Sequence, residues 1–242
     1  MIVRDQNAQP ESQGPASSAD ATRMALIRAA MHLFGQEGFE GTSTRRIATM
    51  AKANIGSIAY HFGGKEGLRA AVADHIVETV RSVARQALGD LAMPGAPLPP
   101  AEARAQLAAV AERMVAFLVA QPEAGQIAQF LLRELSHPSA AIDRVYSGVF
   151  EPVHKRLCAV WEQATGEPAE SEETRLTVFS MIGQVVYFRI GREPVMRRMG
   201  WKEIGPAEAA KVGAIIAGNL EAMLAAHATA DPGRAADTEN DA

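Results

Sequence analysis

Between residues 20 and 227 apolar side chains recur at intervals of three and four, and no segment keeps the two-residue alternation of a half-buried strand. Leu26, Ile27, Ala30, Leu33 and Phe34 share one face of a first helix, which starts at the capping residue Asp20 and ends near Gly35 and Gly38. Thr42-Ser43-Thr44 opens a short second helix carrying Ile47, Ala48 and Ala51. After a break at Lys52-Ala53-Asn54, a third runs from Gly56 to about Phe62, with Ile58 and Phe62 spaced to bury together. Gly63-Gly64 turns the chain into a long amphipathic helix from Lys65 to about Leu91, with Leu68, Val72, Ile76, Val80, Val83 and Ala87 facing inward. The proline-rich stretch 93–100 stops it. The helical rhythm then resumes over Ala101 to Ala120, Pro122 to Leu135, Pro138 to Thr165, Ser171 to Gly191, Glu193 to Met199 and Pro206 to His227. Several of these segments carry proline in the first turn, where a missing N–H costs little. The pattern predicts an all-α chain, with a three-helix unit over 20–68, a larger helical domain over 69–227, and polar disordered tails at 1–19 and 228–242.

Charge changes this picture locally. The whole chain is acidic, with 24 Lys+Arg against 28 Asp+Glu, which excludes a uniformly basic coat for nucleic acid. Residues 21–92, however, carry nine basic and six acidic residues, and between Gly41 and Arg69 five basic residues face Glu66 alone. Such a patch suits a polyanion bound at one end of the molecule, or an ordinary solvated face. The single Cys158 excludes an internal disulfide and a cysteine-built zinc site, and fits a reducing compartment. No run approaches the ~18 apolar residues of a membrane span, and no secretion signal opens the chain, so a cytoplasmic protein with no membrane partner is expected.

Two short helices joined by a tight turn, preceded by a supporting helix and set in the most basic stretch, outline a DNA-reading helix-turn-helix. Ile47, Ala48, Ala51, Ile58 and Phe62 form its small core, leaving Asn54, Ser57, Tyr60 and His61 for the outer face. Short polar side chains and free helix N–H groups suit a groove, where phosphates and base edges offer hydrogen-bond partners.

The run Thr44-Arg45-Arg46-Ile47-Ala48, followed by Asn54 through Leu68 with its Tyr60-His61-Phe62-Gly63-Gly64-Lys65-Glu66-Gly67-Leu68 ending, resembles the DNA-binding domain of TetR-family transcriptional regulators over about residues 22–70. Phe130-Leu131-Leu132-Arg133-Glu134, Pro138, Phe150-Glu151-Pro152 and Phe188-Arg189-Ile190-Gly191-Arg192, closing at Gly200-Trp201, are similar to the C-terminal domain of CecR-type members. The resemblance implies a homodimeric repressor bound to a palindromic operator in double-stranded DNA and released by a small-molecule effector. It places Thr44 at a phosphate-contacting helix start and Asn54, Gly56 and Ser57 at the groove. Tyr60, His61 and Lys65 fall on phosphates, and Arg45 and Arg46 are further DNA contacts. Two departures matter: Lys52 stands where a turn glycine is usual, at a cost of roughly 1–2 kcal/mol if that position is left-handed, and Ala59 replaces a common aromatic.

For the effector, the candidates are Phe117, Phe130, Arg133, Glu134, Gln184, Phe188 and Arg189, although aromatic residues at helical spacing also build ordinary cores. Arg133, Glu134 and Arg189 interrupt apolar stretches, where a charge must be paired. Two readings stand: a buried Glu134–Arg189 pair joining two helices, or Arg189 binding an anionic effector. The segment 171–191 is apolar on two sides, and 206–227 combines large apolar residues with Gly213, Ala217, Gly218 and Ala222, so these two helices are expected to form a four-helix dimer interface with their symmetry mates. No metal-ligand spacing, phosphate loop or nucleophile motif is present, so no catalytic residue, cofactor or metal is assigned and an enzyme is not expected. The rival function is an all-α sensor or partner-binding module without DNA-binding activity.

Overall fold

Helix α1 (Ser18–Gly41) breaks at Gly38, whose φ of 77° and ψ of 169° lie outside the helical region. The break turns Phe39 back onto Phe34, ring centroids 5.3 Å apart, and the Thr42 hydroxyl donates to the Gly38 carbonyl at 2.8 Å, pinning the bent end. The computed structural model describes residues 18–91 and 95–228, and every regular element among them is helical. The expected tails lie outside the described residues, except that Ser18 and Ala19 open α1 and Ala228 closes the last helix.

After α1 come α2 (Thr44–Met50), α3 (Gly56–Phe62) and α4 (Lys65–Leu88), the last three residues shorter than its apolar rhythm predicts. Leu26, Ile27 and Phe34 of α1 meet Ile47, Ile58 and Leu68 in a core from which water is excluded. That core does not end at residue 68. Ile127 and Phe130 of α6 (Pro122–Ser136) and Ile142 and Val145 of α7 (Ala140–Val145) complete it, so the head and the larger domain share one apolar interior.

The remaining elements are α5 (Pro100–Val115), α8 (Glu151–Thr165), α9 (Glu172–Ile190), α10 (Arg192–Met199) and α11 (Pro206–Ala228). Two of the expected continuous helices contain a wider π turn, Ala116–Ala120 after α5 and Tyr146–Phe150 between α7 and α8. At the second the cause is local: Pro152 cannot donate to the Gly148 carbonyl one turn back, and Arg81 of α4 donates to it instead, at 2.7 Å.

Trp161, Leu157, Leu107, Val178, Leu220 and Leu224 form a second core between α5, α8, α9 and α11. Helix α9 buries Val178 and Val185 and leaves Leu176, Phe179, Tyr187 and Ile190 exposed; α11 buries Val212, Ile216, Leu220 and Leu224 and exposes Ile215, Gly218 and Ala222. Helix α11 is long and apolar enough to cross a membrane by length and composition, a feature hidden from a search for uninterrupted apolar runs, yet one of its faces is spent on the protein core.

Candidate nucleic-acid interface

The recognition unit is built by two helix ends. Ser43 caps α2, its hydroxyl accepting from the Arg46 N–H, so Thr44 is the first helical residue. Helix α2 closes with the Ala53 N–H on the Ala48 carbonyl and the Lys52 N–H on the Thr49 carbonyl, a closure that needs a left-handed residue at position 52. Lys52 supplies it with φ 53°, the single non-glycine at positive φ among the described residues. Replacing Lys52 by glycine is expected to stabilise the fold by roughly 1 kcal/mol, read as a higher thermal midpoint, while weakening DNA binding by loss of an exposed charge. Unchanged stability would mean that the lysine is held without strain.

Asn54 stands just before α3, and its Oδ1 accepts from the Gly56 N–H at 2.8 Å, which leaves one lone pair of that oxygen and the amide NH2 to reach a base edge. Helix α3 buries Ile58 and turns Gly56, Ala59 and Tyr60 outward, with Ser57 half-buried. Tyr60 is 83% exposed and meets His61 edge-on, centroids 4.9 Å apart; no apolar neighbour covers it. At the C-terminal end of α3, Gly63 takes φ 72° and caps the helix, and Gly67 in the first turn of α4 lies so close to the Phe62 carbonyl that a Cβ there would fall 1.8 Å from its oxygen. That approach sets the angle between the recognition helix and α4.

The basic residues divide. Arg45 is exposed with no side-chain partner among the described residues, whereas Arg46 holds Glu37 of α1 at 2.6 Å. The Lys65 ammonium lies 4.2 Å from the centroid of the Phe39 ring and the Arg69 guanidinium 4.4 Å from it, so the bent end of α1 holds both cations at the start of α4.

The seven effector candidates do not converge. Phe130 is fully buried in the head core, and Phe117 packs against that core. Phe188 packs on the cluster around Val185 and Ile216. Gln184 lines a cavity of about 30 Å³ between α5, α8, α9 and α11, and accepts from Asn219 at 2.9 Å. The expected Glu134–Arg189 pair is absent. Glu134 is instead gripped by Arg69 of α4, Nε to Oε1 at 3.1 Å and Nη2 to Oε2 at 2.9 Å, with the Ser139 hydroxyl also donating to it. Arg133 donates to the carbonyls of Gly35 and Gln36 in α1. These two residues of α6 therefore clamp the head to the larger domain, a role that the apolar flanks of Glu134 signalled as burial without indicating the partner. Cys158 is buried, and burial pushes its thiol up to about 11, so it stays protonated and inert at neutral pH.

A larger open groove of about 660 Å³ lies between α4, α5 and α8. Its polar walls are already engaged: Lys155 with Glu151, Arg156 with the Asp90 carbonyl, Gln106 with the Ala87 carbonyl and Gln163 with the Leu98 N–H. Among the described residues no group of three or more His, Cys, Asp and Glu side chains could hold a metal ion.

Residues 26–72 match the profile of the bacterial regulatory proteins of the tetR family, and residues 103–227 that of the C-terminal domain of the HTH-type transcriptional dual regulator CecR. The CecR regulator of Shigella flexneri is 35% identical over 189 residues, which cover 75% of this chain and 82% of that protein. The transcriptional repressor NicS of Pseudomonas putida is 39% identical over 79 residues, 33% of this chain and 37% of that one. Among solved structures, a transcriptional regulator from Pseudomonas aeruginosa PAO1 superposes with a TM-score of 0.58 at 21% identity, covering 86% of this chain and 93% of that one. AibR, solved with isovaleryl coenzyme A and operator DNA, gives 0.60 at 16% identity over 81% and 96%. At those identities the two structures establish a shared fold.

Proposed function

Because the chain belongs to the TetR family of bacterial transcriptional regulators, with a C-terminal domain of the CecR type, we propose that it is a ligand-responsive repressor that binds a palindromic operator as a homodimer. The observation that carries the reading is the outward face of α3. A seven-residue helix cannot stand alone, and this one buries Ile58 and exposes Tyr60, Gly56 and Ala59 in a head that also exposes Arg45 and Lys52. A tyrosine left bare in this setting has a hydroxyl free for a phosphate oxygen, and small side chains beside it let the helix enter a major groove. The charge of Lys65 at the start of α4 adds to the anion field. Thr44, Arg46 and His61 complete the proposed phosphate-facing set, Arg46 after exchanging Glu37 for phosphate. The unit over 20–68 is read as the DNA-binding domain and 69–227 as the effector-binding and dimerisation domain, acting in the cytoplasm, where the DNA lies.

Two heads carried by a twofold dimer meet half-sites about 34–36 Å apart, or a multiple of that distance. The dimer interface is assigned to the apolar faces of α9 and α11 that stay exposed among the described residues. The test is a band shift on genomic fragments captured by the purified protein. Specific complexes are expected at roughly nanomolar affinity, weakening steeply with salt. Arg45→Ala is expected to weaken specific and random DNA alike and to lower the salt slope by about one, while Ser57→Ala relaxes the choice among sequences. An absence of any salt-sensitive specific complex would leave the sensor without DNA-binding activity as the better account.

A further inference from the structure

We propose that Arg189 and Arg192 form a subsite for the anionic head group, carboxylate or phosphate, of a small amphipathic effector. This rests on the regulator reading above and names the chemistry of its ligand.

Arg189 extends the inward stripe of α9, following Val178, Ile182 and Val185 at helical spacing, so its stem leaves the apolar interior while its head stays at the domain edge. Burial lowers its proton affinity, and the neighbouring Arg192 charge lowers it further. Neither guanidinium meets a carboxylate among the described residues. Arg189 reaches the Leu118 carbonyl at 3.4 Å and Arg192 the Val119 carbonyl at 3.5 Å, both at the outer edge of hydrogen bonding. Other arginines of this molecule are better served: Arg69 holds Glu134 with two bonds, and Arg81 holds the Gly148 carbonyl at 2.7 Å. The carbonyl end of a helix offers roughly half a negative charge, which two guanidiniums with about five N–H donors each exceed.

Gly125 is what lets the guanidinium reach α6: a Cβ there would lie 1.8 Å from Nη2 of Arg189, and the π turn Ala116–Ala120 supplies the two carbonyls. Glu123, the nearest acid along α6, is turned toward His75 of α4, 3.5 Å away. Leu118 and Phe188 stand alongside as apolar contacts for a ligand body. The 660 Å³ groove, by contrast, has its cations and amides spent on internal partners.

The position also explains how a bound anion would reach the DNA. Gly125 touches Arg189 near the start of α6, and Arg133 and Glu134, about 12 Å further along the same rigid helix, hold α1 and α4 of the head. An anion that draws Arg189 and Arg192 off the Leu118 and Val119 carbonyls would shift this end of α6 and carry the clamp with it.

Octanoate and octyl phosphate, each compared with uncharged octanamide, can be titrated into the full-length protein by calorimetry, with operator affinity measured in parallel. At least one anion is expected to bind about tenfold or more tighter than octanamide and to weaken operator binding; Arg189→Gln and Arg192→Gln should each remove that preference. Circular dichroism checks folding, and Arg192→Gln serves alone if Arg189→Gln unfolds. Equal binding of anions and octanamide, an Arg192→Gln variant that keeps the preference, or anion binding without effect on the operator overturns the proposal. A protein that binds no operator even without probe refutes the regulator reading instead, and the calorimetric comparison then judges the anion site by itself.

Discussion

Glu134→Ala is expected to lower the thermal midpoint by roughly 6–20 °C, the equivalent of about 3–5 kcal/mol, because it strips the carboxylate from a buried guanidinium. The side chains of Glu134 and Arg69 are 5% and 14% exposed, so water cannot replace the lost partner. Arg69 would keep only Glu66, at 3.9 Å and on the exposed side, and the face of Phe39. The loss is expected to fall on the joint between head and larger domain, since the pair ties α4 to α6 across 65 residues of sequence. A paired replacement, Arg69→Met with Glu134→Leu, is expected to recover most of the stability, because two apolar side chains of similar volume leave no uncompensated charge. Unfolding followed by circular dichroism separates these outcomes: a Glu134→Ala protein melting within a degree or two of the parent would mean that the bridge contributes little.

Gly218→Arg is expected to convert the protein to a 25.8 kDa monomer and to cost about 10²–10⁴ in operator affinity. Apart from the helix's own backbone, no atom of the described residues lies within 4 Å of a Cβ built at Gly218, or at Gly183 on α9, so each monomer tolerates the larger side chain and even gains helix propensity. The face they occupy is nevertheless apolar, with Phe179 and Ile215 58% and 62% exposed and Leu176, Tyr187 and Ile190 beside them. Close helix approach through glycine and alanine would leave no room for arginine. Light scattering reads the mass and fluorescence anisotropy the affinity; a Gly218→Arg protein that remains dimeric places the interface elsewhere. Loss of the second half-site, rather than damage to α3, accounts for the affinity change, so binding to a single half-site should be unaffected.

The head was the most legible part of the chain. Its three helices follow from apolar spacing and caps, and the Tyr60-to-Leu68 run identifies it, because those residues act within one or two turns of each other. Lys52 at the left-handed turn position was visible as a departure, and the backbone angle supplies the strain that the sequence left conditional. Asn54 shows the boundary of such reasoning: its type and place suit a base contact, yet its oxygen already accepts one bond from the Gly56 N–H, which fixes the side chain's direction. Of the three charges inside apolar stretches of the larger domain only Glu134 is buried, with Arg133 exposed and Arg189 half-buried, and its partner is Arg69 of α4 where Arg189 was expected. The aromatic candidates for the effector scattered for the same reason, since helical spacing places a residue on a face without saying what that face meets.

The sequence by itself determined the helical class, the order of the elements, the turn chemistry of the head and the family, all of which rest on local periodicity, capping and short motifs. Only the tertiary structure decided that Arg69 takes Glu134, that Arg189 and Arg192 are left with carbonyl contacts, and which of the two apolar sides of α9 turns outward. Those outcomes depend on how helices tens of residues apart share a limited interior, where each buried charge takes the partner that packing brings within 3 Å.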